Sequence, residues 1–166
     1  MLVTVCIITH VIRATYEIMK HKKMIKATWL SFIIVFTNML LLWVSWFALC
    51  ILDISKIDLP DFIRFIGIVL VVLGVIVFLT GLITIKALES YEGDLITHGI
   101  YSKIRHPMYL GFILWLVGMP VYCGGLYSFV LCLLFMANVL FWRHLEEKEL
   151  ESRFPAYKEY KNTTLF

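Results

Sequence analysis

The chain has 166 residues, of which 61% are hydrophobic and only 16% charged, with a mean hydropathy of +0.87 and a formal net charge of +3. A soluble domain carries about a quarter charged residues, which excludes that class here; at about 20 apolar residues per span there is room for four or five transmembrane helices. The expected fold is an all-α integral membrane protein, with transmembrane helices 1–3 over residues 1–85 and a second part over 86–166. No basic stretch opens the chain and no A-x-A-like site follows, so a removable signal peptide is not expected.

In chain order, the first apolar run extends from Leu2 to about Met19 and is the weakest, because it contains His10, Arg13 and Glu17. Arg13 and Glu17 are four apart and either pair on one helix face or leave Arg13 to reach the interface. The second run, Thr28 to Leu52, and the third, Phe62 to Ile85, read as full spans. Met108 to Tyr122 and Leu126 to Trp142 follow, separated by Cys123-Gly124-Gly125. At about 15 residues, or ~22 Å, these two are expected to form a short tilted helical hairpin. A C-terminal helix lies beyond it. Glycines recur every seven residues, at Gly67, Gly74 and Gly81 and again at Gly111 and Gly118, a stripe suited to close helix packing. The four cysteines are isolated in or beside apolar runs and read as small buried side chains.

Basic residues set the expected orientation. Lys20, Lys22, Lys23 and Lys26 fall between runs one and two; Lys86, Lys103 and Arg105 fall between three and four. The tail adds Arg143, Lys148, Arg153, Lys158 and Lys161, whereas Asp53 to Arg64 is poor in Lys and Arg. Five spans, with the N-terminus outside and the C-terminus in the cytoplasm, satisfy that bias.

Two polar segments then share the cytoplasmic end, Glu92 to Gly111 and Trp142 to Tyr160. Pro107 suits the first turn of a helix, where its missing N–H is not needed, and it keeps His106 extended. The free N–H groups of that turn, beside Arg105, favour an anion. Gly99 is a turn residue that lets Tyr101 fold back over this mouth. Glu146, Glu147, Glu149 and Glu151 continue the fifth helix. A cationic and an anionic end between aromatic walls match a zwitterionic amino-acid head group. The same residues also serve as interface anchors for lipid phosphates, and both readings stand at this level. His10 and His144 read as structural and His98 as a loop residue; the spacing of His98, His106 and His144 supports no metal site.

GDLITHGIYSKIRHPMYLG, followed by EEKEL and RFPAYKEY, resembles the isoprenylcysteine carboxyl methyltransferase and phospholipid methyltransferase superfamily of integral-membrane enzymes, over about Gly93 to Tyr160. The resemblance implies a catalytic part at 86–166 that uses S-adenosylmethionine, with S-adenosylhomocysteine as product. By motif position, Gly93, Asp94, Leu95, Ile96, Tyr101, His106, Pro107, Met108 and Tyr109 would line that cofactor. Glu146, or alternatively Glu147, would take its amino group. Arg105 is the expected residue for orienting an anionic acceptor. The pattern often has an arginine four residues before the first glutamate. Here that position is Trp142, and Arg143, the nearest candidate for acceptor binding, lies about 100° further round the helix. Phe154-Pro155-Ala156-Tyr157 also departs from the pattern's F-G-x-x-Y.

The expected reaction is methyl transfer to a lipophilic or lipidated acceptor in the membrane, first an isoprenylcysteine-type carboxylate and second an amino phospholipid. A carboxylate needs no general base, whereas an amine must lose a proton. Two further classes are an NADPH-dependent sterol-reductase-like protein and a non-catalytic lipid- or partner-binding module. No nucleic acid and no metal are expected.

Overall fold

The computed structural model describes residues 1–25, 28–86 and 93–166. Lys26, in the first basic connection, and Glu92, at the start of the first polar segment, lie outside the described residues. The described chain is all helix, with α1 (Leu2–His21), α2 (Trp29–Ile51), α3 (Asp61–Ile85), α4 (Pro107–Cys123), α5 (Leu126–Arg153) and α6 (Tyr157–Thr163); a 3₁₀ turn, Gly99–Ser102, precedes α4. Helices α1, α2, α3 and α5 are long and apolar enough to cross a membrane, and α4 is a shorter apolar helix of 17 residues. The protein is thus a multi-pass membrane type of chain.

Local chemistry sets the ends. Thr28 opens α2 with a reciprocal cap: its side chain accepts from the Ser31 amide, and the Ser31 hydroxyl accepts from the Thr28 amide. Pro107 is the first residue of α4, where no N–H is needed, and His106 before it is non-helical at φ −126° and ψ 62°. Gly124 ends α4 with φ 65°.

The two long hydrophobic runs of the C-terminal half differ in length. α4 is short, as expected. α5 continues past Trp142 without a break for 28 residues, about 42 Å. The charged stretch after Trp142 does not interrupt it, because Glu, Lys, Leu and Arg are good helix formers.

The core joins α1, α2, α4 and α5 through Cys6, Leu42, Trp46, Leu116, Phe135, Val139 and Trp142. α3 stands beside this core and buries only Gly67, Gly74 and Gly81. Its stripe meets that of α4: a Cβ on Gly74 would lie 2.8 Å from the Gly111 carbonyl, and one on Gly67 2.8 Å from that of Gly118. Gly81 continues the seam against Pro107, 2.8 Å from Cγ on the same construction. The absence of side chains lets the two backbones touch. The outer faces of α2 and α3 present Trp29, Leu30, Phe36, Phe65, Ile76 and Ile83.

Alternating helices give the bundle two ends. At one, the α2–α3 connection clasps the α4–α5 turn: Ile57 donates to the Gly124 carbonyl at 2.7 Å, and the Leu126 amide to that of Ser55 at 2.8 Å. Asp53 there caps α5, accepting from the Ser128 amide at 2.7 Å and its hydroxyl at 2.8 Å. Burial alone would raise the Asp53 carboxyl, but the Ser128 and Ser55 donors hold it below its ordinary value. The opposite end contains the cavity.

Candidate active site

A cavity of about 610 Å³ opens where the C-terminal halves of α1 and α5 meet the start of α4, residues 94–106 and α6. That size lies within the roughly 300–1,000 Å³ usual for small-molecule sites. Positive φ at Gly99 (60°) turns the chain so that Tyr101 is buried against the cavity, as the sequence leads one to expect. The Tyr160 hydroxyl then pins the loop by donating to the Tyr101 carbonyl at 2.6 Å.

Of the residues singled out from sequence, Asp94, Leu95, Ile96, Tyr101, Arg105, His106, Met108, Tyr109 and Glu146 all line this cavity. Tyr109 and Glu146 share the cavity wall. Gly93, Pro107, Arg143 and Glu147 do not face it. The Gly93 carbonyl accepts from Arg153 at 3.1 Å. Pro107 is buried against Gly81. The Arg143 guanidinium lies 4.5 Å from the centre of the Phe166 ring.

Glu147 is closed off by three partners. Arg105 Nε donates to Oε1 at 3.2 Å, His106 Nε2 is 3.3 Å from the same oxygen, and Lys161 Nζ donates to Oε2 at 3.0 Å. The Arg105 guanidinium also donates through Nη1 to the Thr164 carbonyl at 2.7 Å and to that of Lys161 at 3.2 Å. Its backbone pairs with Leu165. Arg105, expected to orient an acceptor, is thus tied to Glu147 and the tail. His106 Nε2 is 3.2 Å from the Tyr157 hydroxyl. Bonds to Glu147 and then Glu151 raise Lys161 above its ordinary value.

The phenols around the site stay protonated at neutral pH. Burial, followed by the charge of Glu146, raises Tyr101; burial and then Glu147 raise Tyr157; burial pushes Tyr160 up to about 12. They suit hydrogen bonding and ring contacts better than proton abstraction. The cavity therefore combines a carboxylate wall, Glu146 with Asp94, and an aromatic wall, Tyr101, Tyr109, Tyr157 and Tyr160.

The sequence reading did not place α1 here, yet Arg13, Glu17, Lys20 and His21 complete the cavity wall. Arg13 and Glu17 form the i,i+4 ion pair and are both buried. Their spacing signalled the pair; only packing of α1 against α5 brings it to the cavity.

Residues 62–156, from α3 to the tail, match the phospholipid methyltransferase family. Among curated proteins, a probable protein-S-isoprenylcysteine O-methyltransferase of Oryza sativa subsp. indica is 34% identical over 68 residues, 36% of this chain and 36% of that protein. Protein-S-isoprenylcysteine O-methyltransferase A of Arabidopsis thaliana is 35% identical over 63 residues, 33% of this chain and 32% of that protein. The Schizosaccharomyces pombe protein-S-isoprenylcysteine O-methyltransferase is 37% identical over 54 residues, 32% of this chain and 21% of its own length. The chain thus spans about a third of the plant relatives it matches. No solved structure matches it. The family match covers more than half of the 166 residues and contains the Glu146 wall, the Gly99 turn and the Pro107 helix start. The chain belongs to the phospholipid methyltransferase family.

Proposed function

We propose that the chain is a five-span membrane methyltransferase that takes S-adenosylmethionine at the cavity and methylates a lipophilic carboxylate, of which an isoprenylcysteine is the first candidate. The N-terminus is outside and the cavity faces the cytoplasm, in keeping with the Lys and Arg bias. The observation that carries this reading is Glu146 and the 94–109 segment sharing one cavity within the family-matched stretch.

The side chains suit the donor. Glu146, a carboxylate on the cavity wall, accepts from its ammonium group. Tyr101 and Tyr157 line the cavity with aromatic rings of the kind that attract a sulfonium. S-adenosylmethionine, when bound, supplies a methyl on that sulfonium: an acceptor oxygen forms the C–O bond as the C–S electron pair returns to sulfur. The protein's own contribution is alignment and exclusion of water. Protonated phenols are poor bases at neutral pH, and a carboxylate acceptor needs none, which favours O-methylation over methylation of an amine.

Two measurements test it. Calorimetry with S-adenosylhomocysteine should give binding that Glu146→Ala weakens at least about tenfold. Label should then pass from S-adenosylmethionine to a farnesylated cysteine with a free carboxylate, and not to phosphatidylethanolamine. No binding at millimolar S-adenosylhomocysteine, in folded protein, would sink the methyltransferase reading; transfer to the phospholipid alone would replace the acceptor.

A further inference from the structure

Over a membrane-length stretch α1 is the least apolar of the four long helices, and its buried polar residues point one way. His10, Arg13 and Glu17 recur at three and four residues, so they share a face. That face meets α5: His10 stacks on Phe135 with ring centres 3.9 Å apart, and Asn138 Nδ2 lies 2.9 Å from its Nδ1. One turn on, Arg13 Cζ is 5.5 Å from the Trp142 ring and 5.6 Å from that of Tyr16.

Ionised groups among membrane helices are expensive and usually functional. A buried pair is weak support for stability, since packed apolar residues of similar volume serve as well or better. The Arg13–Glu17 pair therefore needs a use beyond holding α1 in place. A guanidinium has five N–H donors. Nη2 meets Glu17, while Nε is buried without a hydrogen-bond partner among the described residues. The aromatic rings keep the fork in one orientation with a donor to spare.

Arg13 belongs to the cavity wall, as do Glu17, Tyr109 and Glu146. The cavity thus has two charged stations. One, at Glu146 and the 94–101 segment, suits the ammonium end of the donor. The other is on α1, on the side of the membrane-crossing helices. Of the other arginines lining the cavity, Arg105 is held by Glu147 and tail carbonyls, and Arg153 donates to Gly93.

We propose that Arg13 anchors the carboxylate of the lipophilic acceptor through guanidinium N–H groups not taken by Glu17, while Glu17 keeps the remaining charge balanced. Trp142 is the platform that positions Arg13. This assignment rests on the methyl-transfer reading for the identity of the ligand, but its central test does not require turnover.

The test compares binding of a farnesylated cysteine with a free carboxylate and of the same compound as its uncharged amide. Calorimetry is run on wild type, Arg13→Lys and the double variant Arg13→Met with Glu17→Met. The double variant removes both charges together, so neither is left buried alone. Wild type is expected to prefer the acid by at least about tenfold. Arg13→Lys keeps charge without the fork and should lose most of that preference; the double variant should lose all of it. S-adenosylhomocysteine affinity should stay within about twofold in both, and in turnover the acceptor KM should rise with little change in kcat. An acid preference that survives in the double variant would overturn the proposal. So would a parallel loss of S-adenosylhomocysteine binding, which would make Arg13 a support of the whole cavity. Wild-type protein that binds the acid preferentially but not S-adenosylhomocysteine would retain the Arg13 anchor and sink the methyltransferase reading.

Discussion

Glu146 and Glu147 are neighbours in the chain with opposite surroundings: Glu146 lines the cavity beside Tyr109, and Glu147 is enclosed by Arg105, His106 and Lys161. One helical step of about 100° separates the two tasks. Glu146→Ala is expected to weaken S-adenosylhomocysteine binding at least about tenfold with little loss of thermal stability. Glu147→Ala removes the carboxylate shared by half-buried Arg105, buried His106 and Lys161 and should destabilise the protein by about 3 kcal/mol. Thermal unfolding and calorimetry on both variants check the division; equal effects on both readouts would erase it.

Arg105 joins α5 to the tail, so its loss should be felt in structure before acceptor recognition. Arg105→Gln is expected to lower the unfolding temperature and weaken S-adenosylhomocysteine binding together. A variant that binds the donor normally and raises only the acceptor KM would instead make Arg105 an acceptor contact.

The Tyr160 hydroxyl holds the loop that turns at Gly99. Tyr160→Phe removes one hydrogen bond, about 1 kcal/mol, and keeps the ring. S-adenosylhomocysteine affinity should fall several-fold, with faster proteolysis within residues 93–106 as the accompanying sign.

The α5 cap at the far end should affect stability alone. Asp53 has a lowered carboxyl, so its stabilisation is complete above its unfolded value near 3.9 and disappears as pH falls through the still lower folded value. Asp53→Asn should therefore unfold at lower temperature than wild type at pH 7, with the gap narrowing below about pH 4. Donor binding at pH 7 should stay the same.

Gly74 and Gly111 touch through backbone, and a Cβ on Gly74 would stand 2.8 Å from the facing carbonyl. Gly74→Ala should cost about 1–3 kcal/mol, as overpacking does. Unfolding in detergent gives the value; no loss would mean that α3 shifts freely along α4.

Sequence pattern carried the parts of this molecule that depend on local rules. Glycines seven apart gave a packing seam, Pro107 marked a helix start, and Gly99 marked a turn. The continuation of α5 through Glu146 and Glu151 was also legible, because helix propensity outlasts hydropathy after Trp142. Arg105 and Arg13 were beyond reach. An arginine beside a helix start looks free to take an anion until the tail carbonyls that occupy it, nearly 60 residues later, are in place. The Arg13–Glu17 pair was readable as a pair, but its cavity is made by contacts with helices more than 90 residues away.

Because α5 is unbroken, it acts as a ruler. Twenty residues separate Leu126, beside the Asp53 clasp, from Glu146, or about 30 Å, close to the hydrocarbon thickness of a bilayer. Counting residues along one helix sets the depth of the cavity carboxylate, independently of the loops around it. Adding one residue between Leu126 and Glu146 would move that carboxylate by about 1.5 Å and swing it by about 100°, into the direction now taken by Glu147. Substitutions along this stretch can be absorbed by repacking, but a change in its length cannot.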